Sequence, residues 1–94
     1  MMRFHSGRLT ITSPVTRKQT ELGDEAAFVQ CTDGKSQYAI AYFGPGRVPA
    51  DAGIGTAFVA TGSVVGEKGT KYGAYVHLRG ETFDPIIERS GSDD

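Results

Sequence analysis

Six side chains close together in the last third of the chain have the chemistry to hold a nucleic acid. Lys68, Lys71 and Tyr72 stand in a glycine-punctuated segment, GEKGTKYG, and Tyr75, His77 and Arg79 follow at alternate positions. Cations pair with phosphates and release their counterions, while aromatic rings stack on bases of any identity. On an extended strand Tyr75, His77 and Arg79 share one face and Ala74, Val76 and Leu78 share the other. The apolar set takes the core, which turns the first set outward. An outward aromatic, imidazole and guanidinium suit a stacking platform, and they equally suit a solvated wall with a subunit contact.

Further cations and tyrosines extend the candidate set. Lys35 sits beside the Asp33-Gly34 turn and Arg47 in a GPGR loop, while Arg17 and Lys18 are adjacent in a polar stretch. Arg8 alternates with Leu9 and so projects from the outer face of the first strand. Tyr38, Ile40 and Tyr42 share one face of the third strand, and Ala39, Ala41 and Phe43 share the other. If the tyrosine face is outward, Tyr38 and Tyr42 stack bases; if inward, they are core residues with hydroxyls at the rim. Phe28 and Phe58, central in apolar strands, read as core.

Catalytic and metal chemistry finds no support in the spacing. Neither Gly44-Pro45-Gly46 nor Gly53-Ile54-Gly55 makes a phosphate-binding fingerprint, since no helix is expected after either. His5 and His77 are far apart, with no carboxylate or thiolate at ligand spacing. Asp24, Glu25 and Asp33 lack a paired acid in an apolar setting. Cys31 reads as a small buried residue. Neither enzymatic activity nor a cofactor is expected.

The elements that must position these residues follow a period of two. A first strand is expected over residues 4–12, ended by Ser13-Pro14, and residues 16–24 (TRKQTELGD) read as a loop. A second strand spans 25–32 and a third 36–43, joined at Asp33-Gly34, where a type I′ turn is expected. Residues 44–55 are rich in Gly and Pro, with at most one helical turn near residues 49–52. Two strands over 55–83 then make a hairpin whose tip is GEKGTKYG. Five strands and a long connection after the third predict an all-β fold: a small, OB-like Greek-key barrel with a protruding hairpin.

Composition sets the bounds. A chain of 94 residues is one domain with one modest core, and its 38% apolar content is offset by 13 glycines. One cysteine excludes an intramolecular disulfide, and no apolar leader or span is present, which points to a reducing, cytoplasmic compartment. The net charge is −1, but residues 1–87 carry nine Lys/Arg against eight Asp/Glu. Nucleic-acid binding would therefore rest on local clustering and be salt-sensitive. Residues 88–94, ERSGSDD, read as an acidic disordered tail after a domain over 1–87.

The segment SGRLTITSPVTRKQTELGDEAAFVQCT resembles the opening of single-stranded DNA-binding proteins with an OB fold. Gly7, Leu9, Thr10, Pro14, Gly23 and Phe28 match a Gly-x-Leu strand, a polar loop with Pro and a glycine turn into an apolar strand. The later GTAFVATGSVVGEKGTKYGAYVHL is similar to the last hairpin of those proteins, including the compact forms made by filamentous phages. The acidic end resembles the tail of bacterial members, though it stops on Asp93-Asp94 rather than an apolar tip, and the chain has no tryptophan. The resemblance implies non-sequence-specific binding of single-stranded DNA by a homodimer, in replication, recombination or phage DNA handling. RNA is not separated from DNA, because the 2′-OH is read by local geometry. The other reading of the same outward aromatics is a protein-interaction or assembly module.

Overall fold

The computed structural model describes residues 2–71 and 73–87, apart from the side chain of Thr70. Tyr72 and the acidic residues 88–94 lie outside this set. The described residues form seven strands: β1 (Met2–His5), β2 (Leu9–Ile11), β3 (Thr16–Gln19), β4 (Glu25–Thr32), β5 (Gln37–Phe43), β6 (Ala57–Thr70) and β7 (Gly73–Pro85). No helix occurs among the described residues; one hydrogen-bonded turn, Ala52 N–H to Pro49 O, stands where a helical turn was expected.

Five of the strands close a ring in the order β2, β4, β5, β7, β6 and back to β2. Every pairing in it is antiparallel except β5 with β7, which run parallel. A parallel pair needs a crossover, and the long connection between β5 and β6 makes room for it. The result is an OB-like Greek-key barrel with the β6–β7 hairpin running out of it, which stretches the molecule to 47 × 31 × 25 Å.

The opening path is longer and more broken than its sequence pattern. β1 and β2 both lie along β6, and β2 and β3 both lie along the same side of β4. The three short strands are thus one strand interrupted twice. At the first break Ser6 donates its N–H to Ala60 O and accepts the Ala60 N–H on Oγ, so a side chain stands in for a ladder partner. At the second, Pro14 has no N–H to give the ladder. The stretch read as a loop, 16–24, is a strand as far as Gln19, and only residues 20–24 turn. Its four residues TRKQ are all exposed, so no apolar alternation marks them.

The β4–β5 turn also differs from expectation. Only Gly34 has positive φ, 96°, so it is not type I′; instead the Asp33 carboxylate accepts the Lys35 and Ser36 N–H groups at 2.8 Å. Those two bonds hold the Asp33 carboxyl below its ordinary range.

Leu9, Ile11, Val29, Cys31, Ile40, Tyr42, Phe58 and Leu78 fill the barrel. Phe83 stacks on Phe58 at 4.2 Å between centroids. It reaches the core because Glu81 is an extra residue in β7: Thr82 pairs Thr61 and Gly80 pairs Gly62, and the bulge flips the face of every residue beyond it. Gly62 and Gly80 face each other for a steric reason. A Cβ on Gly62 would strike the Arg79 carbonyl, and one on Gly80 would enter the Tyr42 ring.

Candidate functional site

The outer wall is organised in rows that follow from the registers. Phe28 pairs with Ala41, Ala41 with Arg79 and Arg79 with Ser63. The next row holds Gln30, Ala39, His77 and Gly66, and the one after it Thr32, Gln37, Tyr75 and Lys68. Tyr75, His77 and Arg79 do share the outward face of β7, while Leu78 is buried and Val76 packs on the core. Ala74, expected on the core face, is exposed because β7 there has already left the barrel.

A second bulge places the basic residue of the hairpin on this wall. Val65 is extra in β6, between Val64 opposite Leu78 and Gly66 opposite His77. Without it Lys68 would fall on the inward parity of Val64; with it Lys68 lies beside Tyr75 on the outer face. The residues read as a loop-like tip are ladder up to Thr70, so Lys68 sits on a strand and Lys71 at the turn. Tyr72 cannot be assigned, since it lies outside the described residues.

The centre of the wall is aromatic, and it is built by residues that sequence reasoning assigned elsewhere or passed over. Phe28, expected in the core, is 37% exposed, and Phe43 is 40% exposed. Their rings meet edge to face at 6.5 Å, and the Arg79 guanidinium lies over Phe43, 5.2 Å from its centroid. Ala39 and Ala41 floor a groove of about 570 Å³ between this pair and His77, with Val65, 70% exposed, on its rim. Small residues in the floor are what let a flat ring lie against the sheet.

The strand-three tyrosines take the inward alternative. Tyr42 is 0% exposed, so it leaves the stacking set; its hydroxyl donates to Thr82 O at 2.8 Å and burial pushes its pKa up. Tyr38 packs against Phe4 at 5.3 Å and donates its hydroxyl to Asp33 at 3.1 Å, a core residue with its polar end at the rim. Burial, then this carboxylate, raises its pKa. Cys31 is pushed up to about 12 by burial first and the Asp33 charge second, so it is an inert thiol.

The remaining cations divide by position. Lys35 is exposed on the β4–β5 turn, at the same end of the wall as Lys68. Arg47 is exposed at the other end, where its Nη1 donates to Glu81 O at 3.0 Å. Arg8 joins β1 to β2, on the far side of the ring from β5, and so falls outside the wall. The ion pair Arg3–Glu81, 2.7 Å, is exposed and contributes little. No three residues of the His, Cys, Asp and Glu types converge among the described residues, and no helix there is long and apolar enough to cross a membrane.

One signal in the sequence pointed to Phe43: it shares the face of Ala39 and Ala41, opposite Ile40. For Phe28 the signal was the alternation of Ala27, Val29 and Cys31, which its central position obscured. Comparisons with protein-family models, curated proteins and solved structures return no match to this chain.

Proposed function

We propose that the chain binds single-stranded DNA without sequence specificity on the outer wall of β4, β5 and β7, as its resemblance to OB-fold single-stranded DNA-binding proteins implies. The observation that carries this reading is the outward pair Phe28 and Phe43 with Arg79 over the Phe43 face. Burying a Phe side chain is worth about 1.5–3 kcal/mol, and the exposed part of these two adjacent rings is a share of that gain the fold alone leaves unrealised. A base supplies the missing cover.

In this mechanism one base lies on Phe43 over the alanine floor and a neighbour meets Phe28. Arg79, with no ion pair among the described residues, pairs with a phosphate or stacks on a base. His77 and Tyr75 continue the surface toward Lys68 and Lys35, which pair with phosphates. Stacking is worth about 1–3 kcal/mol per base. Two such bases with a few phosphate contacts correspond to micromolar affinity at low salt, about −8 kcal/mol. RNA would stack on the same rings.

The test is fluorescence anisotropy of labelled oligo-dT at about 50 and 200 mM salt. Micromolar binding that weakens with salt, and about tenfold weaker binding by Phe43→Ala, is expected. Absence of binding at low salt overturns the reading.

A second reading, an assembly face, is favoured by the exposure of Val65 beside the two phenylalanines. A homodimer through this patch would show concentration-dependent sedimentation that Val65→Lys abolishes, with no response to oligonucleotide.

A further inference from the structure

Beyond the Phe28 and Phe43 ridge lies a second cleft, of about 530 Å³, between β3 and the connection that follows β5. It is lined by Arg17, Lys18 and Arg47 with Glu25, Gly44 and Gly46. Three cations and one carboxylate line it, in a chain whose net charge is −1; Lys18 reaches it from the outer face of β3, beside Ala26, and Arg17 from the other face, beside Ala27.

We infer that this cleft is a second subsite that takes the phosphates of the same nucleic-acid strand after it passes over Phe43. The inference rests on the reading of the outer wall just given. Its geometry comes from the registers: Lys18 pairs with Ala26 and Ala26 with Phe43, so all three stand in one row of the sheet. By alternation that row shares the face of Phe28 and Ala41. Lys18 is two strand spacings from Phe43, about 10 Å along the sheet, within reach of the next phosphate group. Gly44 follows Phe43 directly, so the groove and the cleft meet at the end of β5.

The cations are prepared for an anion. Arg17 donates Nη1 to Val48 O at 3.3 Å and Nη2 to Pro49 O at 2.7 Å, which ties the two walls of the cleft together. Arg47 is held by Glu81 O. Both partners are neutral carbonyls and neither guanidinium makes an ion pair among the described residues, so the charges are positioned beside a single lining carboxylate, Glu25, and less side-chain freedom is lost on binding. Lys18 is exposed and makes no ion pair among the described residues. The cleft therefore lengthens the site and adds phosphate contacts at one end, opposite Lys35 and Lys68.

Oligothymidylates of two lengths test this, about three and about nine nucleotides, on the intact chain and on Lys18→Glu. The substitution is on an exposed edge strand, and circular dichroism reports whether the fold is kept; Lys18→Ala is the second variant. For the longer oligonucleotide we expect a loss of about three- to tenfold and a salt slope shallower by about 0.7. The shorter one, held by the aromatic groove alone, should bind all three proteins equally. The amide resonances of Gly44 and Gly46 should move with the longer probe only. Equal losses at both lengths, or none at the longer, overturn the second subsite while leaving the groove intact. Failure of the unmodified chain to bind either probe overturns both.

Discussion

The two faces of β5 carry opposite assignments of similar residues. Inward, Tyr42 is fully buried with its hydroxyl spent on Thr82 O and its ring against Gly80. Outward, one residue later, Phe43 has no polar atom and stands 40% exposed under Arg79. A ring with a polar handle is inside and a plain hydrocarbon ring is outside, the reverse of what solvation alone dictates. The inner ring is explained by the fold that packs on it. The outer ring lies outside the core cluster, and its exposure is the basis of the proposed binding.

The largest effect that separates the two faces is on stability. Tyr42→Ala removes a buried ring and leaves a cavity, and should cost about 3–5 kcal/mol, whereas Phe43→Ala should cost under about 1.5 kcal/mol. Urea denaturation of both variants measures this, and similar losses would break the comparison. Next comes Gly80→Ala, whose Cβ would enter the Tyr42 ring. A loss of about 1–3 kcal/mol is expected, since ring and strand must both shift.

A last effect appears only at alkaline pH. Cys31, ordinarily at 9.0, is held near 12 in the fold by burial, and Tyr42 is raised for the same main reason. Both groups are neutral when protonated, so the unfolded chain ionises first as pH rises. Their contribution is therefore complete below pH 9 and is lost progressively as pH climbs toward 12. Thermal melts of Cys31→Ala should show a gentler alkaline decline than the unmodified chain.

Much of the frame was legible in the sequence, for reasons that specific residues show. β4 has the expected bounds because Ala27, Val29 and Cys31 alternate cleanly inside polar ends. Leu78 and Val76 oriented β7 correctly for the same reason. β3 was invisible because TRKQ buries nothing and is held by ladder hydrogen bonds and the Arg17 bonds to Val48 O and Pro49 O, none of which leaves an apolar period. The tip of the hairpin looked like a loop because glycines and lysines carry no apolar period, although they continue the ladder to Thr70. The orientation of β5 was undecidable from pattern, since Tyr and Ala can each face a small core, and the structure settles it through Gly80 and Thr82 on the neighbouring strand β7. Nor can a period of two announce a bulge. Val65 and Glu81 each shift the parity of a strand, and with it which of Lys68 and Phe83 faces water.

The most direct test of the outer wall is to map the amide resonances of the labelled protein during titration with oligo-dT. The largest shifts are expected at Ala39, Ala41, Phe43, His77 and Arg79, with little change at Arg8, which joins β1 to β2 on the far side of the ring from β5. Shifts confined to the β1–β2 junction around Arg8, or none up to millimolar oligonucleotide, would contradict this reading.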